Sequence, residues 1–364
     1  MAPAPRFAAP PAGLMAPPAP RFAPAPAHAT TRRPTGDAVL VAAVHDAADI
    51  SRVEVKLVDV ASGAVVGRLD GQSTGHAIAA TGGLICLVPT RGNDRAAPVR
   101  VLNPATGAVT DIPVATAADG KTSRSSYVFG QVPVTGEYKV LRIHTSTSRD
   151  KPSQSCEILT LGGRGQRWRP APSPPALVGT EIPRHRAVTP GFAHFFTTSK
   201  MADHDGIASF DLAKEQWRPS LLQGPLPSED LHCCRSSLSL VALNGCLVFV
   251  HHDYRSCCID MWVLAELEKG RWLRVQSLPM GSVLRGWEEE TQPAPLIPVQ
   301  RRREIFAQPL MVLDDGRIAF WVGVPNGVVR VYDPKTRKCK DVVGMGRSCS
   351  IVGLCKGSHQ LGFA

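Results

Sequence analysis

Residues 230–272, "DLHCCRSSLSLVALNGCLVFVHHDYRSCCIDMWVLAELEKGRW", carry His232, Cys233, Cys234, His251, His252, Cys257 and Cys258. Thiolates and imidazoles are zinc ligands, and paired thiols also do redox chemistry. A zinc site takes its paired ligands two to four residues apart, so that both converge on one ion from a turn. Here the two cysteines of each pair, and His251 and His252, are directly adjacent. On a strand, adjacent side chains point to opposite faces, and neither pair then chelates one ion. One mixed arrangement survives: a cysteine from each pair with one histidine, drawn together by a turn at Asn244-Gly245. The simpler reading is preferred, in which the cysteines are small buried hydrophobes and the histidines are polar strand ends. Dithiol redox chemistry would call for C-x-x-C, which the chain lacks.

Other chemistry-bearing stretches are equally local. Asp203, His204 and Asp205 ("DHDG") are cation ligands by type, yet they stand just before a strand, where an Asp-Gly turn is expected. "GGRGQR" (162–167) is glycine-rich where a turn is required. The chain holds no G-x-x-x-x-G-K-[ST], H-E-x-x-H or G-x-G-x-x-G motif. No catalytic, cofactor-binding or metal residue is therefore assigned, no cofactor is expected, and the chain is read as a non-enzyme.

The elements that would position these residues are strands. Residues 1–36 are saturated with alanine and proline and repeat "APRFA" at 4–8 and 19–23. Proline at that density blocks ladders, so a disordered, extended tail is expected, with a body over 37–364. The tail has arginines and no acids, as a transit peptide does, but it contains no serine.

Within the body one unit recurs: a β-branched strand ends at Asp or Asn, turns, and starts again. It appears as "VEVKLVDVASGAVVG" (53–67), "VRVLNPATGAVTDIP" (99–113), "IASFDLAKEQWRP" (207–219) and "VRVYDPKTRKCKDV" (329–342), with weaker copies at 156–170 and 259–275. The Asx side chain bonds its own backbone, proline presets φ, and glycine supplies a positive φ before the return strand. Trp168, Trp217 and Trp272 open three of the return strands, where a large ring packs layer on layer. Between these units lie strands apolar on both faces, such as "GGLICLVP", "GFAHFF" and "LSLVALNGCLVFV", as inner strands of a blade would be. Asn244-Gly245 and Asp315-Gly316 read as two-residue hairpin turns. Marking the units at Asp59, Asn103, Leu161, Asp211, Leu264 and Asp333 gives separations of 44, 58, 50, 53 and 69 residues. Four strands per fifty or so residues predict an all-β fold, a β-propeller of about six four-stranded blades, with seven as the alternative count.

Net charge is +10, scattered over the tail, the run Arg301–Arg303 and "KTRKCK" (335–340) without interleaved aromatics, so nucleic acid is not an expected partner. The longest apolar run, 238–250, is too short for a membrane helix and is broken by Asn244-Gly245, so no membrane partner is expected either. Ten cysteines without a secretory leader point to reduced thiols and a cytoplasmic or nuclear protein. The expected partner is a protein, held on loops of a rigid scaffold, with 286–303 and 145–155 the candidate loops and no individual partner-binding residue assigned.

The phrases "YVFGQVPVTGEYKVLRIHTS", "CEILTLGGRGQRWRP", "IASFDLAKEQWRP", "LVALNGCLVFVHHD", "IDMWVLAELEKGRW" and "PLMVLDDGRIAFWV…VRVYDPKTRKCKDV" together resemble, in order over about residues 50–355, the F-box-associated interaction region of plant F-box proteins. The resemblance implies a kelch-related propeller that recruits substrates to a cullin-RING ubiquitin ligase. In that family an N-terminal F-box binds the Skp-type adaptor. Nothing in residues 1–52 resembles an F-box, so the adaptor is not an expected partner, and the recognition half is what the resemblance supports. The alternatives are a stand-alone kelch-like interaction or decoy protein and, below it, a metal-dependent propeller enzyme.

Overall fold

The computed structural model describes residues 38–356 apart from 46–52, 61, 73–75, 82–83, 89–97, 104–107, 113–122, 147–151, 163–166, 199–205, 227–234, 288–303, 324–326 and 346–348. The expected Ala/Pro-rich tail at 1–36 lies outside the described residues.

Among the described residues, twenty-five strands form six antiparallel blades around one axis. Blade 1 is β25 (Cys349–Lys356), β1 (Ala38–His45), β2 (Val53–Asp59) and β3 (Val65–Gln72), from the axis outward. Blade 2 is β4 (His76–Thr81), β5 (Leu84–Val88), β6 (Val99–Leu102) and β7 (Val109–Ile112). Blade 3 is β8 (Ser123–Gln131), β9 (Tyr138–Ser146), β10 (Gln154–Thr160) and β11 (Arg169–Ala171). Blade 4 is β12 (Arg186–Thr189), β13 (Phe192–Phe196), β14 (Gly206–Asp211) and the short outer pieces β15 (Gln216–Trp217) and β16 (Leu222–Gln223). Blade 5 runs through β17 (Leu238–Leu243), β18 (Cys246–Asp253), β19 (Cys258–Glu266) and β20 (Arg271–Pro279). Blade 6 completes the ring with β21 (Ala307–Val312), β22 (Ile318–Val322), β23 (Val328–Asp333) and β24 (Lys338–Gly344). The ring closes where β25, the last strand, pairs antiparallel with β1 as the inner strand of blade 1. Its parallel bridge to β4, Gly353 to Ala80, shows that neighbouring inner strands run in one direction.

Packing follows the predicted two-faced burial. The second strand of blade 6, "IAFWV", is buried at all five positions, whereas outer β7 is exposed at three of four. Among the described residues, six apolar clusters sit one at each interface between neighbouring blades. Blades 5 and 6, for example, share Val248 and Met261 with Ala307, Ile318 and Phe320, and blades 6 and 1 share Ala319, Trp321 and Val331 with Leu40 and Val58. Alternation within β1 serves both of its neighbours: Val39, Val41 and Ala43 face blade 2, and Leu40 faces blade 6.

All six marked units are third-to-fourth-strand hairpins. In three of them the side-chain chemistry is explicit. Asp59 accepts from Ser62 N at 3.1 Å, Asp211 from Ala213 N at 2.9 Å and Lys214 N at 3.0 Å, and Asp333 from Lys335 N at 2.8 Å. The fourth residue after the aspartate takes a positive φ. It is Gly63 in one copy, but Glu215 (56°) and Arg337 (56°) in the others, so the expectation of glycine at this position holds only in part. Asn244 (50°) and Gly245 (82°) make the two-residue turn read from the sequence. Asp315-Gly316 does not: Leu313 N bonds Arg317 O at 2.8 Å, leaving three residues between, with Gly316 at φ 86°. Asp315 takes the Arg317 N–H at 3.0 Å, and this lengthens the turn.

Two tryptophans of the return strands tie blades together. Trp217 of blade 4 donates its indole N–H to Pro172 O, just past blade 3, at 2.8 Å, and Trp272 of blade 5 donates to Gln223 O of blade 4 at 2.8 Å. The arginine after a tryptophan reaches the opposite way. Arg169 meets Glu215 of blade 4 at 2.7 Å, and Arg218 meets Glu268 of blade 5 through two bonds of 2.6 and 2.9 Å. Trp168 lies under the Arg142 guanidinium at 4.3 Å and packs against the apolar cluster between blades 2 and 3.

Candidate protein-interaction face

Strand direction divides the connections between two faces. The Asx hairpins and the first-to-second-strand turns, such as 190–191 and 244–245, share one face. The second-to-third-strand loops and the links between blades share the other, which carries the long connections 172–185, 224–237 and 280–306. Both candidate loops, 145–155 and 286–303, start and end on this long-connection face. Residues 147–151 and 288–303 within them lie outside the described residues.

The base of the second loop is built tightly. Arg285 N donates to Glu304 Oε2 at 2.8 Å, Glu304 N donates to Arg285 O at 3.2 Å, and the Trp287 indole donates to Glu304 O at 2.7 Å, so the two ends of the loop meet. Beneath them Arg330, fully buried on β23, binds Glu304 at 2.5 and 3.1 Å, Asp341 at 2.6 Å and Val283 O at 2.5 Å. Burial opposes the Arg330 charge, but the two carboxylates more than offset it and push its pKa above the ordinary arginine value.

On this base stands an aromatic and cationic patch. Tyr254, at the end of blade 5's second strand, donates to Ile305 O at 2.6 Å and lies 5.7 Å from Trp287. Phe306 stacks on His252 at 4.5 Å, and the Arg184 guanidinium lies over the Phe306 ring at 4.8 Å. Arg184 comes from the 3-10 turn Pro183–His185, which leads into β12 and packs against β17, so the patch spans blades 4 to 6 at the inner end of the face. Ile182 and Ile305 stand beside it, 36% and 48% exposed. Tryptophan, tyrosine and arginine are the side chains that dominate protein-binding hot spots, so the patch can seat an apolar residue and orient a polar one. Sequence reading missed these residues, because they arrive from connections far apart in the chain.

Blade 3 holds a second polar row on the same half of the molecule. Ser125 Oγ lies 2.9 Å from His144 Nδ1, and His144 Nε2 lies 2.8 Å from Glu157 Oε2. The order matches nucleophile, base and orienting acid. Glu157, however, also binds Arg142 through Nε at 2.8 Å and through Nη2. Burial would raise the Glu157 carboxyl, but the bonds from His144 and Arg142 hold it below the usual range. Much of its charge is thus directed at Arg142.

His232 lies outside the described residues, and the cysteines and histidines of 235–272 are dispersed. Cys233 and Cys234 lie outside the described residues, as do Asp203, His204 and Asp205. His252 is buried against Phe306 and accepts Ala307 N–H at 3.2 Å, whereas its neighbour His251 points to the other side of the strand, opposite Asp260 in the ladder. Cys257 sits in a turn at φ 53°, with Cys258 opening β19. Among the described residues no three His, Cys, Asp or Glu side chains gather as a metal set. Cys86, Cys156, Cys246, Cys257, Cys258 and Cys339 are free thiols, and burial pushes the Cys156 thiol up to about 12. "KTRKCK" lies on the opposite, short-turn face, where Lys338, Lys340 and Arg317 line a cleft of about 270 Å³ with Asp333 and Asp341, between blades 6 and 1.

The F-box associated beta propeller domain family matches residues 63–321. The chain belongs to this family. No curated protein matches it. Among solved structures, a mutant of the Aleuria aurantia lectin in complex with alpha-methyl-L-fucoside is 10% identical, with 86% of this chain and 98% of that chain covered at a TM-score of 0.41. The fission yeast SREBP-SCAP binding domains complex is 11% identical over 86% and 76%, at 0.38. Kuenenia stuttgartiensis hydrazine synthase is 10% identical over 85% and 79%, also at 0.38. Likenesses this distant bear no weight for function. In this F-box-associated propeller the matched stretch runs from the first Asx hairpin into β22 and includes Arg184, Tyr254 and Phe306. Among its described residues no helix is long and apolar enough to cross a membrane.

Proposed function

We propose that this F-box-associated propeller is a non-catalytic protein-recognition module that holds its partner on the long-connection face, as the substrate receptor of a cullin-RING ubiquitin ligase would. The observation that carries this reading is the convergence of Arg184, Tyr254, Trp287, Ile305 and Phe306 on a base locked by the buried Arg330–Glu304 pair. A rigid platform under long connections lowers the ordering cost of binding. Residues 1–36 act as a spacer, and the module works in the cytoplasm or nucleus.

The test is affinity capture with the full chain, compared with Ile182→Asp/Ile305→Asp on this face and Lys338→Ala/Lys340→Ala on the other. A partner set kept by the second variant and lost by the first is expected; loss in neither, or in both alike, overturns the assignment. Co-purification of a Skp-type adaptor with the same bait separates a ligase subunit from a stand-alone binding protein.

A further inference from the structure

The three most deeply buried cations among the described residues are each matched by an acid. Lys139 holds Glu215 at 2.9 Å, Arg142 holds Glu157, and Arg330 holds Glu304 and Asp341. Two half-buried arginines at the inner end of the long-connection face break this pattern. Arg186, the first residue of β12, donates only to neutral oxygens, Ser126 Oγ on the inner strand of blade 3 and Thr180 O at 3.5 Å. Arg184, two residues earlier, lies over the Phe306 ring, and its Nε is buried without a hydrogen-bond partner. Neither has a carboxylate within ion-pair distance among the described residues. Removing a cation from water without a counter-ion is costly, and a ligand anion would offset the cost. The electrostatics agree: burial alone pulls Arg186 down to about 10, and it also lowers Arg184, which neighbouring Tyr254 acts to raise.

We propose that Arg184 and Arg186 receive a carboxylate side chain of the protein partner, an Asp or Glu flanked by apolar residues that rest on Ile182 and Ile305. This rests on the protein-recognition reading above. A carboxylate fits better than a phosphoryl group, because a single negative charge loses less hydration on entering a half-buried site. Apolar flanks suit the two exposed isoleucines. Arg184 lies against Phe306 of blade 6 and Arg186 against Ser126 of blade 3, so the two, with one residue between them in the chain, make a positive inner rim.

The test is fluorescence anisotropy of the full chain with a labelled nonapeptide of alternating leucine and glutamate, beside its glutamine and phosphoserine counterparts. The glutamate peptide is expected to bind about tenfold tighter than the glutamine one, the effect of one charge-assisted hydrogen bond. Arg184→Gln and Arg186→Gln should each lose most of that preference, and Lys338→Gln/Lys340→Gln should keep it. Arg186→Met keeps the side-chain volume without the charge; if Arg186→Gln fails to fold, this variant must lose the preference too. Equal binding of the glutamate and glutamine peptides overturns the proposal, as does stronger binding of the phosphoserine peptide. So does a rise in affinity on Glu288→Gln/Glu289→Gln/Glu290→Gln, which would assign the arginines to the chain's own glutamates. If the arginine variants leave peptide preference intact while Ile182→Asp/Ile305→Asp abolishes partner capture, the carboxylate site falls and the interaction face stands.

Discussion

Glu304→Gln tests whether the loop base is held by a buried ion pair or merely by packing. The carboxylate is 2% exposed and takes three hydrogen bonds, from Arg330 Nη1 at 2.5 Å, Arg330 Nη2 at 3.1 Å and Arg285 N at 2.8 Å. Glutamine keeps one oxygen. It loses a charge-assisted bond of about 1.5–3 kcal/mol and turns an NH2 group toward a donor. Breaking a buried pair costs about 3–5 kcal/mol. Asp341, still 2.6 Å from Arg330 Nε, keeps the arginine partly neutralised, so a loss near the lower end, about 3 kcal/mol, is expected. Arg330→Met should cost at least as much, because it strands Glu304 in the interior without a cation.

The double variant decides the matter, since an apolar partner facing a neutral amide removes both charges together and should recover most of the loss. Urea unfolding of the four proteins gives the coupling. A coupling of several kcal/mol is expected. Additive losses, or a loss below about 1 kcal/mol for Glu304→Gln alone, would refute the claim that this pair fixes the ends of the loop.

His194 and His252 are buried neutral, with burial pulling both down to about 3 from an unfolded value near 6.5. Between those values the unfolded chain holds the extra protons, so stability falls with falling pH, by about 1.4 kcal/mol per unit for each histidine. His194→Gln should reduce the slope that urea midpoints show between pH 6 and 5; an unchanged slope counts against this. Arg337→Gly relieves a positive φ and should raise stability by roughly 0.5 kcal/mol in thermal melts, after glycine's entropy is counted. Glu215→Gly at the equivalent position should lower it, because Lys139 and Arg169 lose their acid. Ser125 should stay unlabelled by a fluorophosphonate probe at pH 8, and labelling abolished by His144→Ala would make the blade 3 row a working nucleophile.

What could be read from the sequence was the chemistry that acts over a few residues. Asp59, Asp211 and Asp333 mark hairpins because each bonds its own turn, and the marks recur once per blade, which gave six blades. Where a turn depends on more than its two central residues, the reading erred: Asp315 recruits Arg317 and lengthens its turn, and Glu215 and Arg337 take the conformation expected of glycine. The closing strand β25 carries no turn signal that ties it to β1, so ring closure could not be read. The interaction patch was also invisible, although the loop above it was noticed for its length. Arg184, Tyr254 and Phe306 meet only because blades 4, 5 and 6 direct their inner ends to one place, and no local pattern records that.

The division of labour between the two faces follows from the same turn chemistry. Self-bonded Asx hairpins and Trp-Arg ties satisfy the outer strands and the short-turn face from within the repeat, so the blades keep their angle without help from the other face. The connections on that other face are then free to differ in length and composition at little cost to the ring, since loop closure entropy grows only slowly with length. The face least constrained by folding is therefore the one that can specialise. In this chain it carries the longest connection, the buried pair that clamps that connection's ends, and the two arginines left without an acid among the described residues.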